Sequence, residues 1–370
     1  MRRIRPPILL RQRKSFDFWI VLLVIFFCLF GILMIYEASN VVAYRDFGDK
    51  YYFIKEQAMW FLIGFIGLVV ASFVNYKNYY QLSLPLLLVT IISLGAVFIP
   101  GVGIKALGAS RWINLGNFNF QPSELAKLSI ILYFSAWFSQ KEKRRFLPFL
   151  LLILLVVGLV IIQPDLGTGL ILAFIAVSLY FFSEAPLWNF ILLIPGIALT
   201  GLGLAISSPY RLQRLTTFLH PNIDPLGISY HIRQILISLG SGGLLGLGLG
   251  ASRQKYQFLP EATTDSIFAI IGEDFGFIGS LLLLFLFIIF LYRLFRVTRK
   301  APDRHAFLLG GGILMYFASQ ISINLGSMVA ILPLTGVPLP FISYGGSNLI
   351  VSLTAVGIIL NISRNMVVKV

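Results

Sequence analysis

Lys255-Tyr-Gln-Phe-Leu-Pro-Glu-Ala-Thr-Thr-Asp-Ser-Ile-Phe-Ala-Ile-Ile-Gly-Glu-Asp-Phe-Gly276 joins a polar approach to a long apolar helix pattern. Pro260, Glu261, Thr263, Thr264 and Asp265 make up the approach, and Glu273 and Asp274 lie inside the apolar run. A helix starting near Ser266 rises about 1.5 Å per residue, which puts that pair roughly 10–13 Å along it. In a bilayer a carboxylate at such depth costs on the order of 3 kcal/mol, so the pair is expected to face a cavity or a partner charge. Asp265 sits at the mouth, where an acid meets both water and headgroups. A helix cap is the plainer reading of Asp265 or Thr264, but it does not account for so many acids in one place.

The rest of the chain agrees with a membrane reading. Of its 370 residues 58% are hydrophobic and only 12% charged, with a mean hydropathy of +0.88. No soluble domain has that composition. The net charge of +14 sits on no soluble module and reads as topology rather than nucleic-acid binding. Cys28 is the lone cysteine, which excludes disulfides within the chain and cysteine metal sites. The basic N-terminus leads into an apolar run that ends at Tyr36-Glu-Ala-Ser-Asn40 without a small-residue cleavage site, so it reads as a first span.

Ten apolar runs follow one another: Phe18–Tyr36, Ala58–Val74, Leu82–Ile99, Leu125–Phe138, Leu147–Ile162, Thr168–Phe182, Leu187–Ile206, Ile267–Leu291, Phe307–Ile331 and Asn348–Ile362. An even number returns both termini to one side. On that side fall eighteen lysines and arginines, against ten opposite, although its loops are shorter. Both termini are therefore expected in the cytoplasm. The expected fold class is all-α, a polytopic integral membrane protein with about ten transmembrane helices. Residues 1–370 form a single membrane domain, with a basic cytoplasmic tail at 1–16 and a large extracytoplasmic loop at 207–265. Within that loop Ile228, Ile232, Ile235, Leu236 and Leu239 make an apolar stripe, read as an interfacial helix on the outer membrane surface.

Polar chemistry gathers on the outer face. Ser110-Arg-Trp-Ile113 precedes Phe120-Gln-Pro-Ser-Glu-Leu-Ala-Lys127, in which Pro122 suits a helix start and Glu124 and Lys127 share a helical face. The pair reads either as a neutralising ion pair or, with Arg111, as a cationic mouth for an anionic lipid headgroup. Asp165 in Gln163-Pro-Asp-Leu-Gly-Thr168 reads as a helix cap, or as part of the same cavity and a cation ligand. Val337-Pro-Leu-Pro-Phe-Ile-Ser-Tyr-Gly-Gly-Ser347 is too rich in Pro and Gly to span. It reads as a re-entrant segment, with Tyr344 and Ser347 as polar contacts. The glycine-rich Gly240–Gly250 lacks the Lys-Ser/Thr ending of a phosphate loop and reads as flexible re-entrant backbone. His220, His231 and His305 have no metal spacing and receive no role.

These motifs, together with Asp224-Pro-Leu-Gly227 and Leu259-Pro-Glu-Ala-Thr-Thr-Asp265, occur in an order that resembles the SEDS family (shape, elongation, division and sporulation), which includes RodA and FtsW. The resemblance covers nearly the whole chain. It implies a ten-span glycosyltransferase of the bacterial cytoplasmic (inner) membrane that polymerises lipid II, the undecaprenyl-diphosphate-linked disaccharide-pentapeptide, into peptidoglycan. It also implies a class B penicillin-binding protein and other divisome or elongasome membrane proteins as partners. Asp265 corresponds to the family's essential acid, and Arg111, Glu124, Lys127 and Asp165 match polar positions of its central cavity. Where the family often has His-Thr-Asp, this chain has Thr263-Thr-Asp265, which removes any role of that histidine. Arg253-Gln-Lys255 and Ile270-Ile-Gly-Glu273 lean toward FtsW, while Gln163-Pro-Asp-Leu-Gly167 is RodA-like.

The implied reaction is attack of an acceptor hydroxyl on an anomeric carbon whose leaving group is a lipid diphosphate. It needs one base and positive charge on the diphosphate. Asp265 is the candidate base, with Glu261 beside it; Arg111, Lys127 or a divalent cation (Mg or Mn) is the candidate stabiliser, and no nucleotide is needed. The rival class is a lipid II flippase. Against it, the polar residues lie toward one face and no internal repeat is visible. A purely structural scaffold would leave the outer acids unexplained.

Overall fold

In the computed structural model of the chain, residues 10–12, 15–106, 109–114, 116, 119–140, 145–206, 209–219, 229–252 and 259–369 are described. Lys141, Lys143, His220, the turn Pro221–Gly227, Ile228, Arg253 and Lys255 lie outside them.

Every apolar run is helical, because a backbone in lipid must satisfy its own hydrogen bonds. The helices are α1 (Phe18–Phe47), α2 (Tyr52–Phe73), α3 (Asn78–Ala96), α4 (Pro122–Ser139), α5 (Phe146–Ile162), α6 (Leu166–Phe182), α7 (Trp188–Ile206), α8 (Pro209–Leu219), α9 (Tyr230–Ser241), α10 (Ile267–Arg299), α11 (Arg304–Met328) and α12 (Gly346–Arg364). The ten expected spans correspond to α1–α7 and α10–α12. Among the described residues, α1, α2, α3, α10, α11 and α12 are long and apolar enough to cross a membrane alone, and α5, α6 and α7 are shorter apolar helices. α4, which carries Glu124 and Lys127, is not among them. Rings from four segments centre the core. Phe27 of α1 stacks on Phe287 of α10 at 4.4 Å between centroids, and Phe341 packs on Phe317 of α11 at 5.3 Å.

The structure departs from an all-α reading in two places. The loop between α3 and α4 holds a three-stranded antiparallel sheet, β2 (Gly103–Ala106), β3 (Ala109–Asn114) and β4 (Asn119–Phe120). These strands are short and lack an alternating apolar pattern, so nothing in the sequence marks them. The N-terminal stretch is also more than a tail. β1 (Leu10–Gln12) pairs antiparallel with β5 (Val367–Lys369), which brings both ends of the chain to the same side of the bundle.

Several expectations along this stretch gain detail or are corrected. In the apolar stripe of α9, Ile232 and Ile235 are buried, packed against α10, while Leu236 is 40% exposed. The glycine-rich stretch after it is an ordered set of turns docked on α10. Leu247 N and Gly248 N donate to the carbonyls of Glu273 (2.9 Å) and Asp274 (3.0 Å), and Phe277 N donates to Gly243 O (2.9 Å). α10 itself is broken at Gly276, where φ is 69° and ψ −165°. Glu273 and Asp274 therefore end a short first segment, each 1% exposed. Glu273 Oε2 accepts from Ser252 Oγ (2.6 Å) and Ser238 Oγ (3.1 Å), and Asp274 Oδ1 accepts from Ser252 N (3.2 Å). Their burial serves to hold the turns in place.

Candidate active site

The turn Leu259–Ser266 is built around Glu261, whose φ of 50° is left-handed. That bend lets the Glu261 carbonyl accept from both Thr264 N (3.2 Å) and Ser266 N (3.1 Å). Thr264 Oγ1 then lies 2.8 Å from Glu261 Oε2 and 2.8 Å from Asp265 Oδ1. The Asp265 side chain does not cap α10. Its cap residue is Ser266, which makes no side-chain cap bond either.

Burial pushes the Asp265 carboxyl above the ordinary carboxylate range, while the Thr264 hydroxyl and the positive charges of Arg214 and Arg111 pull against it. A carboxyl shifted in this direction is a stronger base than a free aspartate. Two outside elements fix the turn. Tyr344 N donates to Thr263 O (2.9 Å), and Asn324 Nδ2 of α11 donates to Asp265 O (2.9 Å) and Val337 O (2.8 Å).

Arg111, on β3, sends Nε to Gln163 O (3.2 Å) and Nη2 to Pro164 O (2.5 Å). It thus ties the sheet to the α5–α6 turn while keeping its charge within reach of Asp265. Asp165 is the cap of α6, with Oδ1 accepting from Thr168 N (3.1 Å). Its other oxygen accepts from Gln121 Nε2 (3.3 Å) and Ser123 Oγ (3.4 Å). Gln121 N in turn donates to Ser347 Oγ (3.0 Å) at the start of α12. Gln121 thus joins three helix starts on one face of the bundle. Tyr344 donates its hydroxyl to Glu56 Oε2 of α2.

Glu124 and Lys127 lie deeper, 2% and 1% exposed, and do not line an open mouth. Lys127 Nζ stands 2.8–2.9 Å from the Glu124 oxygens and 3.0 Å from Gln320 Oε1, and it lies 5.1 Å from the centre of the Tyr316 ring. A buried ammonium is tolerated when a carboxylate and an amide oxygen meet it in this way. Gln320 continues the network to Pro338 O (2.9 Å) and Asn348 Oδ1 (3.0 Å). Tyr316, Gln320 and Asn324 recur every fourth residue on α11, so one helical face carries hydrogen bonds from Lys127 out to Asp265.

Several of these groups escaped a reading based on formal charge. Gln121, Gln320 and Asn324 are neutral amides, whose only signal is polarity inside or beside an apolar run. His231 sits on α9, where the apolar stripe dominated, and Arg214 on α8, where its charge counted only toward topology. Both line a cleft of about 220 Å³ with Gln213, Thr217, Phe218, Ile232 and Leu334. Among the described residues no three His, Cys, Asp or Glu side chains converge as a metal site.

The family model described as "Cell cycle protein", for FtsW, RodA and SpoVE, matches residues 18–367. The "Probable peptidoglycan glycosyltransferase FtsW" of Trichlorobacter lovleyi is 39% identical over 373 residues, covering 98% of this chain and 96% of its own. "Stage V sporulation protein E" of Bacillus subtilis is 39% identical over 360 residues, covering 95% and 98%. Among solved structures, a chain of "Structural coordination of polymerization and crosslinking by a peptidoglycan synthase complex" superposes with a TM-score of 0.78 at 27% identity, over 95% of this chain and 98% of that one. The rod shape determining protein RodA of Thermus thermophilus gives 0.71 at 27% identity over the same shares. Matched from the first apolar helix to the C-terminal strand in sequence, and over nearly its whole length in structure, the chain belongs to the FtsW/RodA/SpoVE family of multi-pass membrane proteins.

Proposed function

We propose that this chain is a peptidoglycan glycosyltransferase that polymerises lipid II at the outer face of the bacterial inner membrane, with Asp265 as its general base. One observation carries the reading: Asp265 is partly buried, raised in pKa and held on a turn braced from two sides, with Arg111 and Arg214 in Coulombic reach. In the proposed step the acceptor sugar hydroxyl gives its proton to Asp265 as its oxygen bonds to the anomeric carbon. The bond from that carbon to the lipid diphosphate breaks, its electron pair leaves on the diphosphate oxygen, and the anomeric configuration inverts. Arg111 and Arg214 supply positive charge where negative charge develops. Glu124 and Lys127, being buried and matched, serve by holding α4 to α11; Asp165, Tyr344 and Ser347 brace the cavity wall.

A divalent cation fits only in part. Asp265 and Glu261, bridged by Thr264, offer two carboxylates, and Mg²⁺ is commonly held by one or two carboxylates plus substrate phosphates. Such an ion would supply further positive charge to the leaving diphosphate. Charge asymmetry supports cytoplasmic termini and an external 207–265 stretch, and the family resemblance supports a class B penicillin-binding protein as partner.

The test is purified full-length protein with lipid II and no nucleotide, with products resolved on a gel. Glycan polymer from the wild type and none from Asp265→Asn is the expected result, since a positioned base contributes roughly 10²–10⁴-fold. Movement of headgroups across liposomes without polymer would favour the flippase reading instead.

A further inference from the structure

One imidazole ties down the end of the turn that carries Asp265. His231 stands in the first turn of α9, and its Nε2 lies 2.8 Å from Ser266 Oγ. A neutral imidazole has one N–H and one bare nitrogen, so Nε2 and the Ser266 hydroxyl pair in either tautomer. Burial keeps the ring neutral, with its pKa down at about 4; Arg214 of α8 acts in the same sense, and Glu261 and the Pro260 carbonyl act against it.

The cap of α10 shows the consequence. A serine there ordinarily accepts from a first-turn N–H, and Ser266 makes no such bond because its hydroxyl is turned toward α9. Packing does not require a histidine at this place, since Ile232 and Ile235 already seat α9 on α10. The other braces, from Tyr344 and Asn324, reach the middle of the turn at Thr263 and Asp265. His231 reaches the end of the turn, at Ser266.

We propose that His231 is a positioning residue for Asp265: by bonding Ser266, the next residue along the turn, it sets the direction in which the carboxylate meets the acceptor hydroxyl, without touching substrate. The inference rests on the general-base reading of Asp265. A misplacement of about 1 Å at a reacting group costs on the order of 10²-fold, so loss of this tie should appear in turnover rather than in substrate binding.

The experiment measures lipid II polymerisation and thermal unfolding on the full-length protein. His231→Ala is expected to lower kcat by about 10- to 100-fold and to leave KM for lipid II within about twofold. His231→Gln, which can still reach Ser266, should recover part of the rate. Ser266→Ala removes only the hydroxyl and should lower kcat at an unchanged melting temperature, which keeps the test open if the alanine variant at 231 does not fold. The two losses should be non-additive, because both break one tie. Unchanged kcat in folded His231→Ala or in Ser266→Ala, or losses that simply add, would overturn the proposal. Asp265→Asn run alongside separates the two readings. If it polymerises normally, the base assignment falls and the positioning role with it. If it is inactive while His231→Ala is normal, only the positioning role falls.

Discussion

Thr264 Oγ1 has one hydrogen and two carboxylate oxygens at 2.8 Å. It can donate to only one of them at a time, and its donation to the ionised Asp265 holds that carboxyl down against the effect of burial. Because the active form is the unprotonated base, kcat/KM should fall on the acid side, with a midpoint above the ordinary aspartate value of about 3.9. Thr264→Val removes a bond that lowers this pKa, so the acid limb should move to higher pH in a pH–rate profile. Stability has the opposite sign. A raised pKa means the native state holds the proton more tightly than the unfolded one. Asp265 therefore costs stability above its folded pKa and nothing below its unfolded pKa. Asp265→Asn should raise the melting temperature near pH 8, and the gain should vanish toward pH 4. The Glu124–Lys127 pair behaves differently. Lys127→Met alone leaves a carboxylate buried, which typically costs about 3–5 kcal/mol. Combining it with Glu124→Gln should recover most of the lost melting temperature, and activity should return with folding.

The break in α10 is an element-scale feature with a sharp steric test. A Cβ on Gly276 would lie 2.3 Å from Gly246 N, and one on Gly246 would lie 2.2 Å from Asp274 O; both residues have positive φ. Gly276→Ala should therefore abolish the folded, monodisperse peak in size-exclusion chromatography. Gly243 also has positive φ but open space around it, so Gly243→Ala should cost only about 1–2 kcal/mol. Nothing in the sequence marks the break, because apolar residues continue through Phe275, Phe277 and Ile278 and the helical period is uninterrupted. The spans were legible for the opposite reason: lipid allows one solution for a long apolar run. The site was legible as far as its charges. Asp265, Arg111 and Asp165 come together on one face, whereas the amides that carry the network have no charge to reveal them. Lys127 was visible, but its partner Gln320 lies 193 residues away, so its depth and saturation could not be read from α4 alone.

Taken whole, the molecule has its ends together and its polar chemistry on one face. In a Cys28→Ser background, Gln213→Cys should react with an impermeant thiol reagent on intact cells, and Arg299→Cys only after permeabilisation; the reverse pattern would invert the topology. Ser252 is a poor reporter, since it is fully buried against Glu273 and Asp274. The bond between Lys127 and Gln320 also sets a schedule for the ribosome. At roughly 5–20 residues per second, the 193 residues between them take on the order of 10–40 s to synthesise. During that interval α4, which is not apolar enough to count as a span by itself, has only Glu124 to offset its lysine. Nascent chains arrested before α11 emerges should therefore leave α4 beside the translocon or the insertase, where crosslinking would find it, and chains arrested after α12 should not.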